Sequence, residues 1–232
     1  MVRDTGDESP LSVFQQWLIG LSAICALFVA GASGWMGLVD ALNYHAKTVT
    51  AGGEVSPVEA EHEALLASKA AILLHPGDAE AWLRSSLVLG DGACDKLDQA
   101  CDNTINAWRE ALIRRPHQPF AWIRLAEAYI DRGDLNLGLA SMQRAVYFGP
   151  HERMVREKTL IIGLSYWSAM GAADRELLQQ MIEWVDRYDR PLLVDVTLSL
   201  DMSDQVLQLL QVRGDTAGFS DALVVAQAQK RG

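Results

Sequence analysis

Basic clusters, cysteines and catalytic signatures are what this sequence has least of. No run of lysine and arginine occurs along the chain, and 20 basic residues stand against 30 acidic ones, for a formal net charge of -10. Nucleic acids and anionic lipid surfaces are held largely by Lys and Arg that neutralise phosphates, so a broad docking surface for either is excluded. Three cysteines are too few for the disulfide framework of a small secreted scaffold. His45, His62, His75, His117 and His151 fall at helix ends and linkers, with no HExxH spacing and no pairing with a nucleophile. A Gly-rich phosphate loop, a GxSxG elbow and a paired-carboxylate constellation are also missing. The aspartates between 91 and 102 do not keep the spacing of a calcium loop. The sequence therefore supports neither an enzyme nor a metal or cofactor site.

What is present is apolar residue in quantity. With 50% hydrophobic content over 232 residues, the chain can bury one core domain and carry one extra element. Residues 1–13 form a polar tail. From Trp17 to Val39 no charged residue occurs, and Trp17 and Trp35 stand about 27 Å apart at helical rise, near the two faces of a bilayer core. This predicts a single-pass transmembrane helix over 14–42. A cleaved signal peptide ending near Ala30-Gly31-Ala32 is the rival, opposed by the acidic residues ahead of the run and the apolar residues beyond the cut. A short tail before a lone span predicts a bacterial inner-membrane protein with its N-terminus inside and its helical domain in the periplasm. Small residues at Gly31, Gly34 and Gly37 would let a second transmembrane helix approach, although glycine is common in such helices in any case.

Residues 43–55 read as a linker. Ser56, Pro57 and Glu59 then supply an N-cap, a proline at the first helical position and the acid of a capping box. The helix they start carries Leu65, Leu66, Ala70, Leu73 and Leu74 at roughly helical spacing and stops at His75-Pro76-Gly77. Residues 56–190 form a series of helix pairs. The clearest runs from 119 to 150. Trp122, Leu125, Ala126 and Tyr129 descend a first helix, Gly138, Met142 and Ala145 a second, and Pro150 closes it, with Gly133-Asp134 as stop and N-cap between them. Small residues sit where the helices cross closely and large ones fill the space beside them. An earlier, looser copy carries Trp82, Thr104, Trp108, Ala111 and Pro116. Pro76, Pro116 and Pro150 are spaced by 40 and then 34 positions, so the earlier unit holds a six-residue insertion in the loop GDGACDKLDQACD. It departs from the later copy at Ser85 and Leu89.

Two more amphipathic helices follow to residue 190, broken at Gly171, and residues 191–232 complete the chain as capping helices. Within them Val194, Val196, Leu198 and Leu200 alternate as a strand would, but no other stretch offers that strand a partner. Cys94 and Cys101 flank the insertion. A bridge needs Cys94 in the loop and Cys101 in the first turn of the next helix, since seven positions along one helix put them too far apart; two unpaired thiols are the alternative. Cys25, inside the apolar run, reads as a small hydrophobe.

The helix-pair pattern resembles the tetratricopeptide repeat (TPR), whose signature asks for these residue types at these positions and whose period is 34. The resemblance implies an all-α solenoid of two to three repeats behind the membrane helix, acting as a non-catalytic scaffold for a protein partner. It implies contacts from the inner face of each first helix: Glu80, Leu83 and Leu87 in the earlier unit, and Phe120, Ile123, Glu127, Ile130 and Asp131 in the regular one. Packing of the apolar members against the next unit is the competing role. Arg84, Arg114, Arg115, Arg124, Arg144, Arg153 and Arg156 would clamp acidic groups or pair with neighbouring carboxylates. Residues 144–170, with Gly149-Pro150-His151-Glu152 and Trp167, also resemble bacterial membrane-anchored proteins of the VpsP type. That second likeness implies an accessory of exopolysaccharide biosynthesis or secretion. An assembly or chaperone factor, of the cytochrome c maturation or translocon-associated kind, and a structural subunit of a large membrane complex are the alternatives.

Overall fold

The structure, a computed structural model, describes residues 29–42, 44, 57–90, 99–211 and 216–231. The chain divides into two units, Met1–Pro76 and Gly77–Gly232.

In the first unit, helix α1 covers 29–42 and helix α2 Pro57–Leu74. The transmembrane helix expected over 14–42 is not supported: among the described residues, no helix is long and apolar enough to cross a membrane. Freedom from charge is weaker than apolarity, and the described part of α1 is diluted by Gly31, Ser33, Gly34 and Gly37 and carries Asp40. Trp35, expected at a membrane face, donates its indole N–H to the carbonyl of Leu74 at 3.1 Å. An added Cβ at Gly31, Gly34 or Gly37 would meet nothing within 4 Å, so among the described residues no helix packs on those glycines. Trp17, Cys25 and the tail 1–13 lie outside the described residues, as does all but Tyr44 of the segment 43–55.

Helix α2 buries a different face from the one its leucines suggest. Ala64, Ala67, Ser68 and Ala71, at i, i+3, i+4 and i+7, are all buried, whereas Leu66 is 55% and Leu73 83% exposed. Apolar residues surround this helix, so periodicity does not choose a side.

The second unit is all-α. Its helices are α3 (Ala79–Gly90), α4 (Gln99–Arg114), α5 (Pro119–Arg132), α6 (Leu135–Phe148), α7 (Arg153–Ser165), a 3-10 turn (Trp167–Ala169), α8 (Ala172–Tyr188), α9 (Arg190–Leu200), α10 (Ser203–Leu210) and α11 (Thr216–Arg231). Neighbours in sequence pair most tightly as α3 with α4 and α5 with α6. Helix α5 also lies on α4 and α7, and α7 reaches α6, α8 and α9. This is a TPR-like stack of helix hairpins.

The hairpin turn follows from Gly133. Its φ of 96° lies in the left-handed region, and its N–H donates to Ile130 O while that of Asp134 donates to Tyr129 O. Where α5 and α6 cross, a Cβ on Gly138 would lie 2.5 Å from Ile130 Cγ1 and 3.1 Å from Ala126 O. The helices can approach only because that atom is absent. Gly163 serves α7 and α8 in the same way, since a Cβ there would lie 2.6 Å or less from both terminal methyls of Leu178. The third hairpin therefore keeps the small-residue crossing although it lacks the Trp and Tyr positions.

Two hydrophobic clusters result. One, with Leu83, Cys101, Ile105, Trp108, Leu112, Leu125 and Tyr129, joins α3, α4 and α5. The other runs from Ile123 and Met142 through Leu160, Leu178 and Ile182 to Leu193, Val206 and Phe219. Residues 194–200 are helical, not extended. Leu192, Leu193, Val194, Val196 and Thr197 are buried among α7, α8 and α11, and the alternation reflects a helix apolar over more than half its circumference.

Candidate interaction groove

One face of α5 carries Arg124, Glu127, Ala128 and Asp131, at i, i+3, i+4 and i+7; the neighbouring face of α7 carries Lys158, Ile161, Ile162 and Ser165 at the same spacing. Because α7 packs on α5, these rows face one another across a groove of about 340 Å³. Thr104 and Trp108 of α4 and Tyr166 at the end of α7 complete it. Trp108 is only 1% exposed and so serves as floor rather than rim.

Charge in the groove is arranged unequally. Glu127 accepts from Arg124 Nη1 at 3.0 Å and from Lys158 Nζ at 2.7 Å, tying α5 to α7. Asp131, one turn further on, has no ion-pair or hydrogen-bond partner among the described residues. Its pKa is raised from the ordinary 3.8, first by partial removal from water and then by the Glu127 charge; Arg124 and Lys158 pull the other way without prevailing. The groove thus offers a mixed lining, with Ala128, Ile130, Ile161 and Ile162 beside charged and hydroxyl groups, and one carboxylate without an ion-pair partner among the described residues. It holds no nucleophile and base in contact, and among the described residues no three His, Cys, Asp or Glu side chains gather as metal ligands.

Of the eight residues expected at the interaction face, the structure brings Glu127, Ile130 and Asp131 to this groove. Ile123 is fully buried in the larger cluster and Leu83 is 7% exposed in the smaller one, so neither offers surface. Phe120 sets its ring edge-on to Trp108, centroids 5.8 Å apart, and is half-buried. Glu80 pairs with Arg84 at 3.0 Å and Arg115 at 3.7 Å, and Leu87 is 36% exposed; neither lines the groove. Sequence reasoning misses Lys158, Ile161, Ile162 and Tyr166. Their spacing along 158–166 is visible, but without the TPR signature residues nothing marks that helix as a groove wall.

Most of the arginines have local partners. Arg114 pairs with Glu110 at 2.6 Å, and Arg156 pairs with Asp189 at 3.0 Å while lying over the Trp184 ring at 4.7 Å. Cys101 is 2% exposed, is disulfide-bonded, and has its sulfur 3.9 Å from the Ala128 carbonyl oxygen. Cys94 lies outside the described residues.

No family model matches the chain, and no curated protein matches it. Among solved structures it is similar to a thermophilic TPR protein of Thermus thermophilus, at 17% identity over 79% of this chain and 96% of that one, with a TM-score of 0.44. A likeness of that extent carries no weight alone; the repeat assignment rests on the hairpins themselves.

Proposed function

We propose that this chain is a non-catalytic scaffold that holds a segment of a protein partner in the groove between α5 and α7. The observation that carries the reading is the place of Asp131: an exposed carboxylate on the groove lined by Ile130, Ile161 and Ile162, with no ion-pair partner among the described residues, which a partner's Lys or Arg could engage. Site-specific photocrosslinking from positions 131 and 165 in cells should capture one and the same protein, and Asp131→Arg should abolish capture from 165. Capture of no protein from either position, or undiminished capture by the charge-reversed variant, would overturn the reading.

The process served is inferred from the resemblance of residues 144–170 to VpsP-type proteins, which favours an accessory role in exopolysaccharide biosynthesis or secretion. Gly149 in that stretch also has a packing reason, because a Cβ there would lie 2.6 Å from Pro119 Cβ. Deleting the gene should lower secreted polysaccharide, and Asp131→Arg should reproduce the loss. Unchanged polysaccharide in the deletion strain would turn attention to the assembly-factor alternative.

A further inference from the structure

On the other side of α5, away from Glu127 and Asp131, lies a second and larger groove of about 580 Å³. Its floor is Trp122, Leu125 and Tyr129 of α5. Its walls are two helical rows with one spacing: Arg109, Leu112, Ile113 and Pro116 from α4 and its end, and Leu137, Ala140, Ser141 and Arg144 from α6. Each row runs i, i+3, i+4, i+7, the register in which a helix presents a seam to another helix. Leu112 is spent in the smaller core cluster, but Ile113 and Leu137 are not, being 71% and 48% exposed. The floor is rigid. Trp122 donates its indole N–H to Pro116 O at 2.6 Å, and its ring lies under the Arg144 guanidinium at 4.6 Å.

The charges at the rim decide what would fit. Arg109 and Arg144, one on each wall, have no carboxylate partner among the described residues. Glu110, beside Arg109 in sequence, is engaged by Arg114, and Gln143, beside Arg144, donates to Asp174. In a chain with a net charge of -10, two guanidinium groups without a carboxylate along one apolar groove are a local inversion of the overall field. Arginine is suited to the position because its planar fork binds carboxylates bidentately while its stem covers apolar surface.

We infer that the α4–α6 groove is a second docking surface, for an amphipathic helical segment of another protein whose apolar seam is flanked by Asp or Glu. The seam would lie on Trp122, Ile113 and Leu137, and the flanking carboxylates would meet Arg109 and Arg144. This surface shares no side chain with the α5–α7 groove, so either can be abolished alone.

The test uses the full chain and three designed helical peptides of about 18 residues: a leucine seam flanked by Glu, the same seam flanked by Lys, and a scrambled Glu version. Binding is read by isothermal titration calorimetry. The Glu-flanked helix should bind at least about tenfold more tightly than the other two. Arg109→Glu combined with Arg144→Glu should weaken it by at least the same factor and reverse the preference toward the Lys-flanked helix. Ile113→Ser, at a site too exposed to unfold the protein, should weaken all three peptides, and Asp131→Arg should change none of them. Equal binding of the three peptides, no binding of any, or an unaltered preference in the double arginine variant would overturn the inference. So would sedimentation analysis showing a self-associating chain whose association the double variant abolishes, which would give the groove to a second copy.

Discussion

Gly138 and Asp131 mark the two kinds of residue that matter most here, one through an absent atom and one through an unpaired charge. A Cβ at 138 would have to displace Ile130 and press on the Ala126 carbonyl, with no open space to take the branch. Gly138→Val is therefore expected to destabilise by about 2 kcal/mol or more, read as a lower urea midpoint at unchanged m-value. Asp131 has the opposite sign. Its folded pKa lies above the unfolded one, so the stability it contributes is full below the ordinary 3.8 and is lost as pH rises through the raised folded value. At neutral pH the ionised group is a small cost to the fold. Asp131→Asn should then raise Tm slightly at pH 7, with the gain vanishing in acid; a gain constant with pH would mean that the charge is not its source. Glu127, Ile130 and Asp131 are legible as groove residues because the repeat pattern implies contacts from the inner face of the first helix, the side of α5 turned away from Trp122, Leu125 and Tyr129. Ile123 is not separable from them in sequence. Whether a residue on that edge of the helix faces water or α6 and α7 depends on how the next hairpin docks.

At the scale of elements, the hairpins are legible because proline, tryptophan and small residues recur at fixed spacings, each with a packing reason that does not depend on the rest of the chain. The α7–α8 pair keeps only the crossing glycine of that set. A single glycine is too common to be read as a signal until Leu178 is seen against it. Helix α2 misleads for a related reason: its leucines are conspicuous, but the face that packs is the one whose side chains are small enough to let a neighbour close. Cys101, near the start of α4, is both buried and disulfide-bonded. In denaturant without reductant it should resist alkylation, and it should be labelled only after reduction, as peptide mass mapping would show. Cys101→Ser should lower stability by about 2–4 kcal/mol, the usual worth of a native bridge.

Over the whole second unit, stability is a sum of neighbour terms, since each hairpin touches chiefly the next. The C-terminal helices close the larger cluster. Phe219 of α11 is fully buried and packs with Leu193, Val206 and Leu210. Phe219→Ala should cost about 3–5 kcal/mol, because the site lies among helices that cannot all collapse on the void. Thermal unfolding followed by circular dichroism would show this as a lower midpoint; a shift under about 2 °C would mean that α11 is peripheral to the cluster. The membrane helix is the largest departure from what the sequence suggests, and its cause is physical. Absence of charge from Trp17 to Val39 is not apolarity: in the described part of α1 glycine, serine and alanine lower the transfer free energy available per turn, and among the described residues no helix is long and apolar enough to cross a membrane.

Helix α5 has almost no unassigned position. Pro119 meets Gly149, Phe120 meets Trp108, and Trp122, Leu125 and Tyr129 floor one groove while Glu127 and Asp131 line the other. Ala121, Ile123, Ala126 and Ala128 are core, Arg124 pairs with Glu127, Ile130 abuts Gly138, and Arg132 reaches Asp102. In a party wall of this kind only the groove-lining side chains, such as Asp131 on one side, can be changed for one tenant alone; the core positions between them serve both. New binding preferences would have to be written on those lining positions or on α4, α6 and α7, leaving the rest of the shared helix as the slowest-changing stretch of the molecule.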